Sequence, residues 1–280
     1  MATGLKHIRA RLQSEVDLII EVRDARIPMA SANTDLILKG KGEGIGMITV
    51  YNKSDLVEKD KLKDISKDIH TNSMLYCKDE RKDLRKLYQL VQSESLSLSN
   101  NSAKLSKKRV MVVGIPNVGK STIINGLRMI GTGLGGKAVK VGNLAGVTKS
   151  LSELVCISRD PLIYLIDTPG ILPPKITNVQ DGLKVALCGG FYDKTVGMAL
   201  LADFLLHNLN TRKDSQAYKT LFNFYKLKSE KEAEDLKLFL PLAAKRIGAL
   251  LPGGEVDLER AAGFLVRQFR SGKLGPFSLE

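Results

Sequence analysis

The stretch RVMVVGIPNVGKST (residues 109–122) decides how this chain is read. Residues 110–113 are a short apolar, β-branched run, which predicts a buried strand. The run stops at Gly114, and Gly114-Ile-Pro-Asn117-Val118-Gly119-Lys120-Ser121 fits G-x-x-x-x-G-K-[ST] with a helix predicted from about Lys120 to Arg128. Strand before and helix after is the context that separates a phosphate-binding loop from a chance glycine-rich turn. Gly114 and Gly119 let backbone N–H groups close around phosphate oxygens. Lys120 supplies one cation for the β- and γ-phosphates, Ser121 offers a hard oxygen to Mg²⁺, and Thr122 continues the helix whose positive end faces the anion.

Two further motifs suit one nucleotide. Residues 46–51 predict a strand that runs into Asn52-Lys53-Ser54-Asp55, the pattern N-K-x-D. The Asp55 carboxylate can accept from N1–H and the 2-amino group of guanine. Adenine has neither donor, so a buried acid would be left unpaired against it, at roughly 1–3 kcal/mol or more. Asn52 is expected on the base edge and the Lys53 stem on the ring. Residues 73–78, SMLYCK, predict a short strand whose end, Cys77-Lys78, suits a backbone N–H contact to the guanine carbonyl. Residues 162–166 predict a strand ending in Asp167-Thr168-Pro169-Gly170, where Asp167 can hold Mg²⁺ through water and the Gly170 N–H can meet the γ-phosphate. The glycine-rich span 131–146 precedes Thr148, whose hydroxyl can complete the Mg²⁺ shell. Lys120, Thr148 and Gly170 are thus the candidates for groups acting on the reacting phosphate.

The motif order is unusual. N-K-x-D precedes the phosphate loop, whereas GTPases ordinarily end with it. A pocket depends on which strand ends meet in space, not on their order along the chain. Cutting the ring after D-x-x-G and closing it through a linker over residues 93–108, rich in Ser, Asn and Lys, produces this order. The expected architecture is α/β: a circularly permuted P-loop GTPase domain over residues 1–176, with a mostly parallel sheet and helices on both faces. A smaller all-helical domain over residues 177–280 follows.

Composition narrows the partners. The 280 residues carry 43 Lys plus Arg against 30 Asp plus Glu, a formal charge of +13, with a sequence pI near 9.6. Such a balance favours an anionic macromolecule, most simply nucleic acid. No run reaches the length of a membrane span, which predicts a soluble chain. Cys77, Cys156 and Cys188 are far apart with no C-x-x-C pair, against a zinc site or disulfide framework and in favour of a reducing compartment. Lys6, Arg9 and Arg11 with no acid before Glu15 have the composition of a mitochondrial presequence. The helical stripe Leu5, Ile8, Leu12 leads into a strand predicted over 16–22, so the stretch is read as part of the fold. The loop Arg23-Asp24-Ala25-Arg26-Ile27-Pro28 follows that strand, and Asp24 and Arg26 either shape the nucleotide site or pair with each other. Further helices are expected over 59–69, 81–91 and 195–209. Ser229-x-x-Glu232 reads as a capping box before a long helix to about Leu251. Asp257 reads as the cap of a last helix ending near Ser271-Gly272. Arg260, Arg267, Arg270 and Lys273 contact RNA phosphates or form a solvated face; both readings stand.

With these motifs assembled, the chain resembles the YlqF/RbgA-type circularly permuted GTPases over nearly its whole length. The resemblance rests on EVRDARIP (21–28), NKSD (52–55), GIPNVGKS (114–121), GVTK (146–149), DTPGIL (167–172), DGLKVALCG (181–189) and FRSGKLG (269–275). It implies GTP hydrolysis with Mg²⁺, linked to maturation of the large ribosomal subunit, and a helical C-terminal domain that binds ribosomal RNA. Its mitochondrial members imply the mitochondrial matrix, peripheral to the inner membrane, with no transmembrane segment.

Two departures bear on turnover. Ile171 follows Gly170 where a signalling GTPase has a water-orienting Gln, so intrinsic hydrolysis is expected to be slow and stimulated by the ribosome. GTPases with the P-N-x-G-K pattern often bind K⁺ near the phosphates, and Asn117 is the corresponding ligand candidate. Family members also carry Pro-Gly-His-Met ahead of this point, and Met1 aligns with its Met. The histidine thought to orient water therefore has no counterpart here. Either a start further upstream is expected, or a chain lacking that part of its apparatus. The alternative function is then a GTP-gated ribosome-binding placeholder with negligible turnover of its own. A signalling or trafficking role is disfavoured by the charge and by the lack of a lipidation signal.

Overall fold

The central strands are apolar along nearly their whole length, as expected of a sheet covered on both sides. β1 (Leu18–Asp24) is LIIEVRD and β4 (Lys108–Val113) is KRVMVV. Leu18, Ile20, Val22, Val110 and Val112 are fully buried. The structure, a computed structural model, describes residues 16–33, 44–67, 72–98, 107–134, 154–168 and 178–280. Among them are β2 (Gly46–Asn52), β3 (Ser73–Tyr76), β5 (Val155–Arg159) and β6 (Leu162–Asp167). The strands form one six-stranded sheet in the order β3-β2-β1-β4-β6-β5. Every neighbouring pair is parallel except β5 with β6.

This order places β1 beside β4, with Leu18 opposite Val110 and Ile20 opposite Val112. The chain leaves β1 toward β2 on one side and β4 connects toward β6 on the other. Their shared carboxyl edge is the switch point at which open α/β sheets bind ligands. Because β1, β2, β3, β4 and β6 run in one direction, the loops after Asp24, Asn52, Tyr76, Val113 and Asp167 all emerge along that edge.

Helices α1 (Lys59–Lys67), α2 (Arg81–Ser97) and α3 (Lys120–Thr132) accompany the sheet. α2 corrects one expectation: residues 93–97 are its last turn rather than linker. The stripe Leu84, Leu87, Val91, Ser95 keeps its helical spacing and stays buried to the end. Polar composition alone mistook that solvent-facing turn for a loop. α3 likewise extends one turn past Arg128 and packs against β5 and α2. The predicted helical stripe of residues 1–14 lies outside the described residues.

Two compact units divide the chain. The first holds the described residues of Met1–Asp55 and Lys59–Ile176, with Glu280. The second holds Leu56–Glu58 with the described residues of Thr177–Leu279. The second is helical: α4 (Val179–Leu187), α5 (Asp193–Val196), α6 (Met198–Asn210), α7 (Gln216–Tyr225), α8 (Glu230–Glu234), α9 (Leu236–Ile247) and α10 (Leu258–Arg270). Its core joins α6 to α10 and α9 to α10, with Tyr225 edge-on to Phe239 at 4.9 Å.

The single long helix expected after Ser229 is two. Ser229 makes no side-chain cap, and Glu232 accepts instead from the Lys228 N–H at 2.6 Å. Asp235 leaves the helical conformation and caps a new start by accepting from Lys237 N–H. Asp257 caps α10 through Arg260 N–H at 2.9 Å, as expected. Arg270 is half-buried and engaged within its own unit. Its guanidinium donates to the Ala186 and Leu187 carbonyls at the end of α4 and pairs with Asp193 at 2.8 Å. Arg260, Arg267 and Lys273 are exposed. Among the described residues, no helix is long and apolar enough to cross a membrane.

Candidate functional site

The loop after β4 turns on residues with positive φ. Asn117 has φ 58° and Gly119 has φ 104°. Gly119 is obligatory for a second reason: a Cβ there would lie 2.1 Å from Asn52 Nδ2. Gly119 is also the N-cap of α3 and leaves its first turn without a side-chain cap, so those N–H groups are not claimed by the helix's own cap. Val118 is buried, while Ser121 and Thr122 on the first turn are half-buried. Lys120 is buried, and its Nζ donates to the Gly114 and Ile115 carbonyls at 3.0 and 2.9 Å.

Burial lowers the Lys120 pKa to about 8, and the nearby Asp167 charge opposes the fall without cancelling it. A phosphate chain beside Nζ restores the charged form. Nucleotide binding is therefore expected to take up a proton where the pocket lysine is neutral, above about pH 8. Affinity should be flat near about pH 7 and decline by up to about tenfold per pH unit above pH 8. Calorimetry in buffers of different ionisation enthalpy reads this as uptake approaching about one proton near pH 9 and none near pH 7.

The N-K-x-D loop is built into the phosphate loop rather than merely facing it. Asn52 Nδ2 donates to the Val118 carbonyl at 2.6 Å, and its Oδ1 accepts from the Lys53 N–H at 2.8 Å. Asn52 was expected on the base edge; the structure uses it to tie the two loops together. Lys53 takes a left-handed φ of 63°, and its Nζ pairs with Asp24 at 2.8 Å, which lays the stem along the loop. Asp24 is 1% exposed and also receives Arg26 Nε and Nη2 at 3.0 and 2.9 Å. Asp24 and Arg26 therefore pair with each other, and Asp24 also anchors Lys53. Burial works against the Asp24 charge, yet Arg26 and Lys53 hold its pKa far below the usual carboxylate range. The Ala25 N–H donates to the Asn52 carbonyl at 2.8 Å and ties the third loop in.

Ser54 and Asp55 lie in a 3-10 turn (Ser54–Leu56), with the Asp55 side exposed. Burial raises the Cys77 thiol pKa, and its hydrogen bond to the Asp55 carboxylate adds to the rise. The end of β3 therefore meets the N-K-x-D acid. The Cys77 amide does not serve the base as expected, because it donates to Asp83 Oδ2 at 3.1 Å. Lys78, next in the chain, is exposed. Sequence reasoning missed Asp83, for an acid in the first turn of a helix is read as dipole complement, not as a clamp on a loop six residues back.

Asp167 and Ser121 meet at the end of β6. Ser121 Oγ donates to Asp167 Oδ2 across a long 3.4 Å, while Asp167 Oδ1 is buried and has no hydrogen-bond partner among the described residues. Burial raises the Asp167 pKa, moderated by Lys120, Ser121 and Thr168. A buried carboxylate oxygen without a donor, beside a hydroxyl, fits a hard cation that arrives with phosphates. Among the described residues, no group of three or more His, Cys, Asp or Glu could hold a metal ion. Thr168 is fully buried and donates to the Val112 carbonyl at 2.6 Å, which fixes the exit of β6. Thr148, Gly170 and Ile171 lie outside the described residues.

The sequence profile of the 50S ribosome-binding GTPase family matches residues 109–236. Mitochondrial ribosome-associated GTPase 1 of Mus musculus is 35% identical over 295 aligned residues, covering all of this chain and 88% of the relative. The protein of that name from Ictalurus punctatus is 33% identical, covering all of this chain and 90% of the relative. Mitochondrial GTPase 1 of Aedes aegypti is 34% identical, covering 91% of that protein. The crystal structure of GNP-bound YlqF from T. maritima shares the fold with a TM-score of 0.63 at 23% identity, covering 99% of this chain and 97% of that one. With its permuted motifs on one sheet edge and full-length relatives at 33–35% identity, the chain belongs to the circularly permuted, YlqF/RbgA-type GTPase family.

Proposed function

We propose that this chain binds and hydrolyses GTP as an assembly factor for the large mitochondrial ribosomal subunit. It docks on pre-ribosomal RNA in the GTP state and leaves after hydrolysis. The observation that carries the nucleotide reading is the 2.6 Å bond from Asn52 to the phosphate loop, which joins a base-reading motif to a phosphate-reading one. The names of the full-length relatives support the ribosomal and mitochondrial assignment. In this reading Asp55 accepts from the guanine edge, with Ser54 and the Lys78 amide beside it. The backbone of residues 114–122 cradles the phosphates. Lys120 turns from the loop carbonyls to the β- and γ-phosphates, and Thr148 and Gly170 close on the γ-phosphate. Ser121, Thr148 and Asp167 would hold Mg²⁺, and Asn117 would hold K⁺. When bound, these cations offset charge on the phosphates. Residues 1–176 are the GTPase domain and 177–280 the RNA-contacting domain. The protein works in the matrix, peripheral to the inner membrane.

The test is sedimentation of the tagged chain with mitochondrial ribosomal particles. Co-migration with a large-subunit particle is expected with a non-hydrolysable GTP analogue and not with GDP. Because the charge is +13, binding should fall by roughly 10³-fold or more between about 50 and 200 mM salt. Salt-independent binding would overturn the RNA-phosphate reading. Ile171 in place of a water-orienting Gln favours a second reading, a GTP-gated placeholder. Large subunits that leave the GTPase rate unchanged would select it.

A further inference from the structure

The division between the two units falls inside one turn. Asp55 and Leu56 are consecutive residues of the same 3-10 turn, yet Asp55 belongs to the first unit and Leu56–Glu58 to the second. Those three residues are held by the second unit's own groups. The Phe277 N–H donates to the Leu56 carbonyl at 2.9 Å. Glu58 engages both carboxylate oxygens: Oε2 accepts from the Ser278 N–H at 2.7 Å and Oε1 from Arg212 Nη1 at 3.0 Å. Arg212 also donates to the Ser278 carbonyl and lies 3.9 Å over the Phe277 ring. Gly272, with φ 75°, lets Leu56 approach so closely that a Cβ there would sit 2.4 Å from Leu56 Cδ2. Val57 and Phe277 are buried.

The side of Asp55 toward the N-terminus is equally constrained, through Asn52 on Val118 and Lys53 on Asp24. The Cys77 thiol meets the Asp55 carboxylate from the end of β3, and the peptide link into Leu56 sets the backbone from which that carboxylate projects. A 3-10 turn transmits such a constraint well, since its residues share tight i→i+3 geometry. The same C-terminal stretch acts again at Glu280, which counts with the first unit and accepts from the Met29 and Ala30 N–H groups at 2.7 and 3.1 Å.

We infer that Glu58 and Arg212 are positioning residues for guanine recognition. By fixing Leu56–Glu58 they hold the Asp55 carboxylate where it meets the base, so the 277–278 segment of the helical unit tunes base affinity and leaves phosphate affinity alone. This rests on the GTP-binding reading. It also has a reciprocal consequence: a guanine base tightens the clasp by the same factor by which the clasp tightens the base.

The test uses the full chain and four probes: fluorescent GDP, unlabelled GDP, IDP and inorganic pyrophosphate. Glu58→Ala and Arg212→Ala are each expected to weaken GDP by about tenfold, mainly through faster release. Pyrophosphate competition should stay at the wild-type value. The preference for GDP over IDP, which lacks the 2-amino group, should shrink, because the misplaced group is the acid that reads it. Glu58→Gln keeps an acceptor for the Ser278 N–H and should weaken GDP by only about threefold. That variant carries the test if the alanine variants fail to fold. Folded variants with wild-type GDP affinity and wild-type GDP-over-IDP preference would overturn the inference, as would an equal loss of pyrophosphate binding. A wild-type chain that binds no GDP would overturn the reading beneath it instead.

Discussion

Replacing Asp24 with alanine is expected to lower folding stability by roughly 3–5 kcal/mol, the largest single-residue effect outside the hydrophobic core. Arg26 is 1% exposed, and Asp24 is its counter-ion in a two-point pair. Removing the acid takes this two-point partner from a buried guanidinium. It also releases Lys53 and the Arg26 N–H, both of which donate to the same carboxylate. Asp24→Asn keeps the shape and should cost less, since one amide oxygen still accepts. Urea unfolding measures both, and a loss under about 1 kcal/mol for the alanine variant would show that the network contributes little. Acid should act in the same direction. The folded-state pKa of Asp24 is depressed, so its stabilisation is complete above the ordinary aspartate value near 4. It fades as pH falls below that value toward the depressed one. Because Lys53 is tethered here, Asp24→Ala should also weaken guanine nucleotides.

Asp55→Asn is expected to reverse base selectivity. The carboxylate presents two acceptors to the two N–H donors of guanine. Asparagine keeps one acceptor and turns an NH₂ toward the other donor, so one good bond becomes a repulsion. Two charge-assisted bonds at roughly 1.5–3 kcal/mol each set the scale, and a loss near 4 kcal/mol is about a thousandfold in GTP affinity. Xanthine carries a carbonyl where guanine carries the amino group, and the asparagine NH₂ can donate to it. XTP should therefore bind the variant more tightly than GTP. Competition titrations with GTP, XTP and ATP measure the exchange. A variant that still prefers GTP would mean that the base is read elsewhere. The exposure of Asp55 and its place in a bonded turn make a folding defect a poor rival explanation.

Local pattern was enough where the chemistry is local. The strands before Gly114 and Asn52, the cap of α10 and its end near Ser271 follow from short-range sterics and hydrogen bonding. The phosphate loop could be read because backbone N–H groups, one lysine and one hydroxyl must follow one another to surround an anion. Reading failed where a polar segment kept one buried stripe, as in residues 93–97, and where an acid inside an expected helix capped a second start, as Asp235 did after Ser229.

By itself the sequence determined that the chain is α/β with a helical C-terminal part, that its motifs are those of a GTP site, and that their order is permuted. Those features are written in spacing and residue type. Only the tertiary structure decided what each polar group does. Asn52 serves the phosphate loop, Asp83 takes the Cys77 amide, Asp24 carries both Arg26 and Lys53, Arg270 closes α4, and Glu58 belongs to the helical unit. The reason is that a buried donor or acceptor must find its partner among groups brought close by strand order. That order, β1 beside β4, joins residues some ninety positions apart that no local rule connects.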